Sequence, residues 1–410
     1  MPLTRAGELD VIPLMRRLWY PCVVMAICLG TAHAQEPGTG LPEQSLQQSA
    51  QESAKVSKPP VHYVEKEFYV PVLNALPQGL DVLEIYAVTP GPHPLAVLTH
   101  GSSVDPAEHA HVTPWSQMNQ ALWFARRGYV VLVVVRKGYG KSGGQADGRF
   151  GGCGSRGSFE EAGEASATDI REVVQWAAKQ PEVDPATVLS VGISTGGFAQ
   201  VALSANPPRG LKAAISFAGG RGSDGKEHNC DLDGLVRAFH GFGKDAAKHG
   251  PLPMLWVYSQ NDHYFPPAMA VKFEEAYRKA GGADQFVMAP PDGDDGHHLY
   301  SHPDVWSETV LAFLKLHALL PLGDDLLPLP AIPNTPAPDG LHDHGLDAWK
   351  RFLAGAPYKA FATTENGVWG LASGVFNQDI ADHDALDRCK KAAAANANAC
   401  HVVARTPGVK

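Results

Sequence analysis

The chain has 410 residues, which is longer than one small domain requires and long enough to bury a large core. Hydrophobic residues make up 44% of the sequence and charged residues 19%, which is ordinary for globular proteins. The formal net charge of −9, with no basic patch, argues against a nucleic acid or an anionic membrane surface as a partner.

Residues 1–34 have the pattern of a secretory signal peptide. Arg16 and Arg17 precede an apolar run over residues 18–30, and the small residues Ala32 and Ala34 mark a cleavage site. Because the apolar run is too short for a stable membrane span, we expect a periplasmic or secreted protein with no span left after cleavage. An uncleaved membrane anchor is the alternative interpretation.

Residues 35–60 are rich in Gln, Ser, Glu and Pro. Such a segment cannot bury enough apolar surface to offset its chain entropy, so we expect a disordered spacer. The composition changes at residue 61. Strand-forming residues at 65–72 and 80–88, separated by a turn-like segment, predict an opening antiparallel pair.

Apolar runs and helical patterns alternate in the segment that follows. We expect strands at 95–99, 129–135, 188–193, 211–217, 253–259 and 286–288. We expect helices at 115–127, 161–180, 198–205, 267–279 and 305–317. This alternation predicts an α/β fold over residues 61–320, with a mostly parallel central sheet and helices on both faces. Residues 221–250 look irregular, and we expect a cap insert at about 219–250.

The C-terminal part of the chain has a different character. Residues 321–345 are rich in Pro at first and predict a linker packed against the preceding domain. Residues 346–410 contain a hairpin signal around Asn366-Gly367, then a helix at 380–395 and a last strand at 401–404. We therefore expect a small α+β module with the order ββαβ.

Four cysteines remain after removal of the signal peptide, namely Cys153, Cys230, Cys389 and Cys400. An even set suits an oxidising compartment, and three pairings are possible. Proximity along the chain favours Cys389–Cys400, which would staple the module and leave Cys153–Cys230. The spacing of a redox or zinc Cys-x-x-Cys pair does not occur among them.

A Gly-x-Ser-x-Gly motif follows the expected strand at 188–193 and precedes the expected helix at 198–205. Its glycines, Gly192 and Gly196, allow the backbone to approach itself closely in a sharp turn. In the order strand, turn, helix, such a turn presents the serine as a nucleophile, so Ser194 is the candidate. The alternative is an ordinary turn in which Ser194 caps the helix.

A serine hydroxyl needs a base to accept its proton, and the base needs an orienting partner. On this kind of sheet the chain order is Ser, then Asp or Glu, then His. Asp262 follows the strand at 253–259 and is the expected acid, with a helix-capping or turn aspartate as its alternative role. His297 follows the last strand and is the expected base, with His298 as the alternative.

Backbone N–H groups must stabilise the oxyanion that forms in acyl transfer. Thr195, directly after the nucleophile, supplies one expected donor. Ser102, in the loop after the strand at 95–99, supplies the other, with Ser103 as the alternative. We expect His100 to have a structural hydrogen-bonding role. Four further residues could shape the pocket, namely Glu160, Arg221, His228 and His240.

Two other patterns do not indicate a cofactor or a metal ion. Gly140-Lys141-Ser142 resembles a phosphate-binding loop, but Val135 stands where that motif needs glycine, so we expect a structural loop. Acidic residues beside His297 and His298 resemble metal ligands, but adjacent side chains seldom converge on one ion. We therefore predict neither a cofactor nor a metal. The acidic residues are Asp292, Asp294 and Asp295, and two further histidines, His342 and His344, are expected in solvent.

These residues resemble the α/β-hydrolase superfamily, and within it the exported bacterial serine hydrolases of the dienelactone-hydrolase and prolyl-oligopeptidase-like group. The resemblance runs from about residue 61 to residue 319. It is carried by Thr99-His100-Gly101-Ser102, Arg127-Gly128-Tyr129, Gly138-Tyr139-Gly140-Lys141-Ser142-Gly143, Gly192-Ile193-Ser194-Thr195-Gly196-Gly197, Asn261-Asp262 and Gly296-His297. It implies that Ser194, Asp262 and His297 occupy the triad positions of the family.

Three functions are compatible with this pattern. The first is an exported serine hydrolase that cleaves small-molecule carboxylic esters through an acyl-enzyme and needs no cofactor. The second is a serine peptidase or acyltransferase with the same triad. The third is a catalytically silent envelope-binding protein that keeps the fold, with the C-terminal module as the binding part.

Overall fold

The computed structural model describes residues 61–146 and 158–406. The strands are β1 (Tyr63–Val70), β2 (Leu80–Ala87), β3 (His93–Thr99), β4 (Val130–Val134), β5 (Val183–Ile193), β6 (Leu211–Phe217), β7 (Met254–Ser259), β8 (Gln285–Ala289), β9 (Ala360–Thr363), β10 (Trp369–Ala372) and β11 (His401–Arg405). The helices are α1 (Met118–Ala125), α2 (Phe159–Ala177), α3 (Thr195–Ala205), α4 (Leu232–His249), α5 (Pro267–Lys279), α6 (Pro303–Leu316), α7 (His344–Ala354) and α8 (Gln378–Ala393). The expected signal peptide and spacer lie outside the described residues.

The larger sheet has eight strands in the order β1-β2-β4-β3-β5-β6-β7-β8. Strand β2 runs antiparallel to both β1 and β4, and the other neighbours are parallel. The predicted α/β class with a mainly parallel sheet is therefore confirmed. In the register of β3 and β5, Thr99 lies opposite Gly192, so the loop after β3 and the turn after β5 leave the same edge of the sheet.

Helices cover both faces of this sheet, as the continuous apolar strands predict. In β4, Val131 and Val133 face one core, whereas Leu132 and Val134 face the other. Helices α2 to α5 pack over the second of these cores, and α1 and α6 pack over the first. Full burial of each such side chain stabilises the fold by about 1.5–3 kcal/mol. The two cores therefore hold the strand ends in fixed positions.

The expectation that residues 221–250 are irregular is wrong for α4, which spans most of that segment. Its apolar side chains Leu235, Phe239 and Phe242 are spaced four and three residues apart and are buried. They pack against the aromatic core, where the Phe239 ring stacks on Phe273 of α5 at 4.6 Å between ring centroids. Because this helix covers the sheet, only the loop before it, about 219–231, lies near the strand ends.

The segment 321–343 has no regular helix or strand and is held against the larger sheet and its helices. The Tyr63 hydroxyl donates to the Pro328 carbonyl oxygen at 2.7 Å, and the Arg126 side chain donates to the Leu327 carbonyl oxygen at 2.7 Å. The role of residues 321–345 as a linker stays a prediction. The described residues lie in one compact unit, so the C-terminal part is not a separate body.

The C-terminal module, defined here as α7 to β11, contains a three-stranded antiparallel sheet in the order β10-β9-β11. Helix α8 packs on one face of it and α7 on the other. The expected order ββαβ is therefore incomplete, because α7 precedes the hairpin. Its buried face includes Trp349 and Phe352, which pack around Phe361 of β9. Both His342 and His344 are exposed.

Cys389 at the end of α8 and Cys400 before β11 form a disulfide, the pairing that chain proximity favours. Cys153 lies outside the described residues, so the pairing of Cys153 with Cys230 stays a prediction. Within residues 61–146 and 158–406, every helix is too short or too polar to cross a lipid bilayer.

The loop after β4 has a structural role, as its sequence predicts. The Ser142 hydroxyl donates to the Val135 carbonyl oxygen at 2.6 Å and accepts the Asp81 N–H at 2.8 Å. Lys141 is paired with the Glu67 carboxylate at 2.8 Å. These bonds tie the loop to β1 and β2.

Candidate active site

Ser194 occupies the sharp turn between β5 and α3. Its backbone has φ 55° and ψ −118°, a left-handed conformation that is strained for a residue with a side chain. A Cβ atom on Gly192 would overlap the carbonyl group of Gly196, so the turn requires glycine there. The strained turn projects the serine side chain from the end of the strand, as a nucleophile requires.

Asp262 and His297 form a hydrogen-bonded pair. Asp262 follows β7, and His297 lies in a short 3₁₀ helix, Gly296–Ser301, that follows β8. The His297 Nδ1 atom lies 3.1 Å from each carboxylate oxygen of Asp262. The exposed fractions are only 5% for His297 and 1% for Asp262, so water does not compete for this bond.

The carboxylate is itself held by the backbone. Its Oδ1 atom accepts the N–H groups of Tyr264 and Phe265, each at 2.8 Å. A carboxylate can only accept, so the proton between it and His297 belongs to Nδ1, which leaves Nε2 as the acceptor. His298 is exposed and lies next to this pair, so the structure brings Asp262 to His297, the histidine that we expected.

Ser194 and His297 line the same cavity, which has a volume of about 360 Å³. Gly101, Tyr264 and His298 also line it. A Cβ atom on Gly101 would lie 3.1 Å from Cβ of Ser194, so a side chain there would crowd the hydroxyl. Two of the three expected triad residues thus line this cavity, and the third, Asp262, is hydrogen-bonded to His297.

The expected oxyanion-hole residues lie close to Ser194. Ser102 and Thr195 line a narrow cavity together with Ser194 and Arg221. The Ser102 hydroxyl is hydrogen-bonded to the Tyr139 hydroxyl at 2.9 Å, which holds the loop after β3 in place. The arrangement brings both residues to the nucleophile, and their roles as amide donors stay predictions.

A buried arginine, Arg136, holds together the residues around Ser102 and Thr195. It was not predicted from the sequence. Its Nη2 atom donates to the Thr195 hydroxyl at 2.8 Å and to the His100 carbonyl oxygen at 3.0 Å. Its Nη1 atom donates to the Ser166 hydroxyl at 2.9 Å. Burial lowers the pKa of Arg136 from its ordinary value. A charged residue directly after a buried strand was the available signal.

His100 has the structural role that we expected. Its Nε2 atom accepts the Arg136 backbone N–H at 3.0 Å, so Nδ1 carries the proton and donates to the Gly101 carbonyl oxygen at 2.5 Å. Burial, with Arg136 adding to it, holds the pKa of His100 well below its usual range. A neutral imidazole therefore links the loop after β3 to the loop after β4.

Tyr264 is a second residue that sequence reasoning missed. Its ring stacks on the His297 ring, with 4.1 Å between centroids and 23° between planes. Of the four pocket candidates, Arg221 is buried beside Ser194 and donates to the Ser166 hydroxyl at 3.0 Å. The other three side chains, Glu160, His228 and His240, are exposed.

The acidic residues near His297 have hydrogen-bonding roles. Asp295 accepts the backbone N–H groups of His297 at 2.9 Å and His263 at 3.1 Å. Asp292 is paired with His302 at 2.6 Å, and Asp294 is exposed. In the part of the chain that the structure describes, no three His, Cys, Asp or Glu side chains are grouped so that they could hold a metal ion.

The family model of the X-Pro dipeptidyl-peptidases, the S15 peptidase family, matches residues 78–252, which is less than half of the chain. The matched segment includes Ser194 and ends before Asp262 and His297. No curated protein matches the chain.

Three solved structures are similar to it. An acylaminoacyl peptidase from Pyrococcus horikoshii is 15% identical, with a TM-score of 0.43, over 68% of this chain and 43% of its own. A candidate dienelactone hydrolase from Klebsiella pneumoniae is 17% identical, with a TM-score of 0.42, over 62% of this chain and 99% of its own. An esterase from Pyrococcus furiosus is 14% identical, with a TM-score of 0.41, over 62% of this chain and 93% of its own.

The protein thus spans less than half of the acylaminoacyl peptidase chain. The architecture of the protein itself defines its fold. The mainly parallel sheet, the strained serine in the turn between β5 and α3 and the chain order Ser, Asp, His are features of the α/β-hydrolase fold. By these features the protein has the α/β-hydrolase fold.

Proposed function

We propose that the protein is a serine hydrolase that cleaves carboxylic esters through an acyl-enzyme. The observation that supports this most is that Ser194 and His297 line one cavity while Asp262 holds the far side of the imidazole. A hydroxyl becomes nucleophilic when a base can take its proton, and the base works best when a carboxylate orients it.

In the proposed reaction, Ser194 Oγ attacks the ester carbonyl carbon while His297 Nε2 accepts the hydroxyl proton. The carbonyl oxygen becomes an oxyanion, which the N–H groups of Thr195 and Ser102 stabilise. His297 then gives its proton to the departing alcohol, and the acyl group stays on Ser194. Water, deprotonated by His297, attacks the acyl-enzyme, and the acid leaves as Ser194 regains its proton.

The first prediction tests this proposal with 4-nitrophenyl acetate. We expect the Ser194→Ala variant to lose about a thousandfold or more of kcat/KM, because the nucleophile is gone and only binding contributions remain. A fluorophosphonate probe should label the wild-type protein and not the variant. Equal turnover by both proteins would end the proposal, and a wild-type protein that neither reacts with the probe nor turns over ester would favour a silent binding protein.

The match to the X-Pro dipeptidyl-peptidase model favours one second candidate, a serine peptidase with the same three residues. Its chemistry differs only in the leaving group, which is an amine instead of an alcohol. Glycyl-prolyl-4-nitroanilide separates the two candidates. Turnover of this amide without turnover of esters would support the peptidase.

We also propose that the protein is exported. The pattern of residues 1–34 supports this proposal, and so does the disulfide between Cys389 and Cys400, because disulfides persist in oxidising compartments. N-terminal sequencing of the protein from fractionated cells is the test. A mature chain beginning at Gln35 outside the cytoplasm is expected, and a full-length chain confined to the cytoplasm would refute it.

A further inference from the structure

A groove of about 930 Å³ lies between the region around α1 and the C-terminal module. One wall comes from residues 108–116, which precede α1, and the other from residues 374–384, which join β10 to α8 and include the start of α8. This groove is larger than the cavity of about 360 Å³ that contains Ser194 and His297.

The groove adjoins that cavity. His100, Gly101 and Ser116 line both spaces, and Ser116 is exposed at the junction. Ser194 also lines a narrow cavity with about 20 Å³ of free volume. The groove therefore offers a substrate whose carbonyl group meets Ser194 much more room than this narrow cavity does.

The module wall is held firmly in position. Gly374 has φ 67°, and a Cβ atom on it would lie 2.8 Å from the Trp115 carbonyl oxygen, so the two backbones are in close contact. The Phe376 ring lies 5.7 Å from the His111 ring and 5.8 Å from the Lys141 ammonium nitrogen. These contacts hold Phe376 at the groove.

The chemistry of the walls restricts what can bind there. Val112, Val375, Phe376 and Ile380 supply apolar surface, and Ile380 is only half-buried. Three carboxylates also line the groove, those of Glu108, Asp379 and Asp384, whereas no Lys or Arg is found among the described residues that line it. The walls thus favour an apolar group and repel a negatively charged one.

We propose that the C-terminal module forms the far wall of the substrate site and binds a bulky, apolar, non-anionic group of the same ester whose carbonyl carbon Ser194 attacks. This inference rests on the proposed function and adds a substrate class to it. A module that binds part of the substrate contributes to specificity through residues far from the reacting atoms.

The test uses methyl acetate as the small ester and places a phenyl group on either side of the bond in methyl 4-phenylbutanoate and 4-phenylbutyl acetate. For Phe376→Ala and Ile380→Ala, we expect the kcat/KM ratio of a phenyl ester to methyl acetate to fall about tenfold, mainly through KM. Val403→Ala is the matched control, because Val403 is an exposed apolar residue of β11 in the same module.

A charge-reversal variant distinguishes a loss of binding from a loss of folding. If the acid side of the ester occupies the groove, the wild-type protein should hydrolyse methyl 4-(4-carboxyphenyl)butanoate more slowly than methyl 4-phenylbutanoate. If the alcohol side occupies it, the corresponding butyl acetates should show this order. Asp379→Lys should raise kcat/KM for the carboxylate-bearing ester about threefold, since it replaces repulsion by attraction. Misfolding cannot produce such a gain.

Calorimetric binding of the phenyl esters to the Ser194→Ala protein separates the groove from the chemistry. Phe376→Ala in that background should weaken binding about tenfold, and Val403→Ala should not. If esters are hydrolysed but neither ratio nor binding changes in the groove variants, the groove proposal is wrong. If binding falls as expected but the wild-type protein hydrolyses no ester, the proposed function is wrong and the groove stands. If the wild-type protein hydrolyses methyl acetate but neither binds nor hydrolyses the phenyl esters, only the groove proposal is wrong. If it binds no phenyl ester and hydrolyses no ester at all, both proposals are wrong.

Discussion

At the scale of single residues, Tyr264 connects the parts of the candidate site. Its backbone N–H donates to Asp262, and its ring covers the face of His297. It lines both the cavity of about 360 Å³ and the narrow one beside Ser102. The ring therefore limits how far the imidazole can rotate away from Ser194.

We predict that Tyr264→Ala lowers kcat for ester hydrolysis about tenfold, because an imidazole without its stacking partner spends less time aligned with the hydroxyl. Tyr264→Phe keeps the ring and should retain most of the activity. Steady-state kinetics of the two variants provide the measurement. If Tyr264→Phe loses as much activity as Tyr264→Ala, then the phenol hydroxyl, and not the stacked ring, is the group that catalysis requires.

Asp284, just before β8, is a buried carboxylate outside the candidate site. Neither of its oxygen atoms has a hydrogen-bond partner among the described residues. Burial raises its pKa to about 7, and Glu274 adds to the rise while Arg278 opposes it. The unfolded chain would ionise this group near pH 4.

Protonation of Asp284 makes the stability of the protein depend on pH. Between about pH 4 and pH 7, the folded state holds the Asp284 proton that the unfolded state has released, so the contribution of this group to stability falls as pH rises. We predict that Asp284→Asn is more stable than the wild-type protein by roughly 1–2 kcal/mol at pH 8. Urea unfolding of both proteins at pH 4 and pH 8 is the measurement, and a difference that does not grow with pH would contradict the assignment.

At the scale of elements, Gly370 shows how β10 and α8 pack. A Cβ atom on it would overlap the Ala385 carbonyl oxygen and the Cys389 amide nitrogen, both in the backbone of α8. The absence of a side chain therefore lets the helix lie directly on the strand. Cys389, at this contact, also forms the disulfide to Cys400.

We predict that Gly370→Ala destabilises the protein by about 1–3 kcal/mol, because the helix must move away from the sheet. Gly91→Ala is the comparison, since nothing lies within 4 Å of a Cβ atom there and only its φ of 90° opposes the substitution. Chemical unfolding of the two variants checks the order. A smaller loss for Gly370→Ala than for Gly91→Ala would show that α8 adjusts without cost.

The elements differ in how well local sequence predicts them. The unit β5, Ser194 and α3 was predictable because an apolar run, two glycines and a helical pattern are adjacent in the chain. Helices α4 and α7 were missed, although each has an apolar face. Glycine and histidine lower the helical signal of α4, and tertiary burial of Phe239 and its neighbours outweighs that weak propensity.

At the scale of the whole molecule, residues from four strand ends meet at one edge of the sheet. Parallel pairing brings the ends of β3, β5 and β7 together, and the loop after β8 adds His297. The rule that ligands bind at the carboxyl ends of parallel strands made this meeting predictable. Arg136 also follows a buried strand, but its role could not be assigned from the sequence, because its partners Ser166 and Thr195 are distant in the chain.

By itself, the sequence determined the α/β class, the turn at Ser194 and the order of its candidate partners, because periodicity, glycine and chain order act over short distances or follow a general topological rule. The sequence preferred His297 to His298 but left both open. The hydrogen bond of His297 to Asp262, the stacking of Tyr264 and the groove beside the C-terminal module emerged only in the tertiary structure. These features depend on contacts between residues far apart in the chain, and such contacts exist only once the sheet, its helices and the module have packed together.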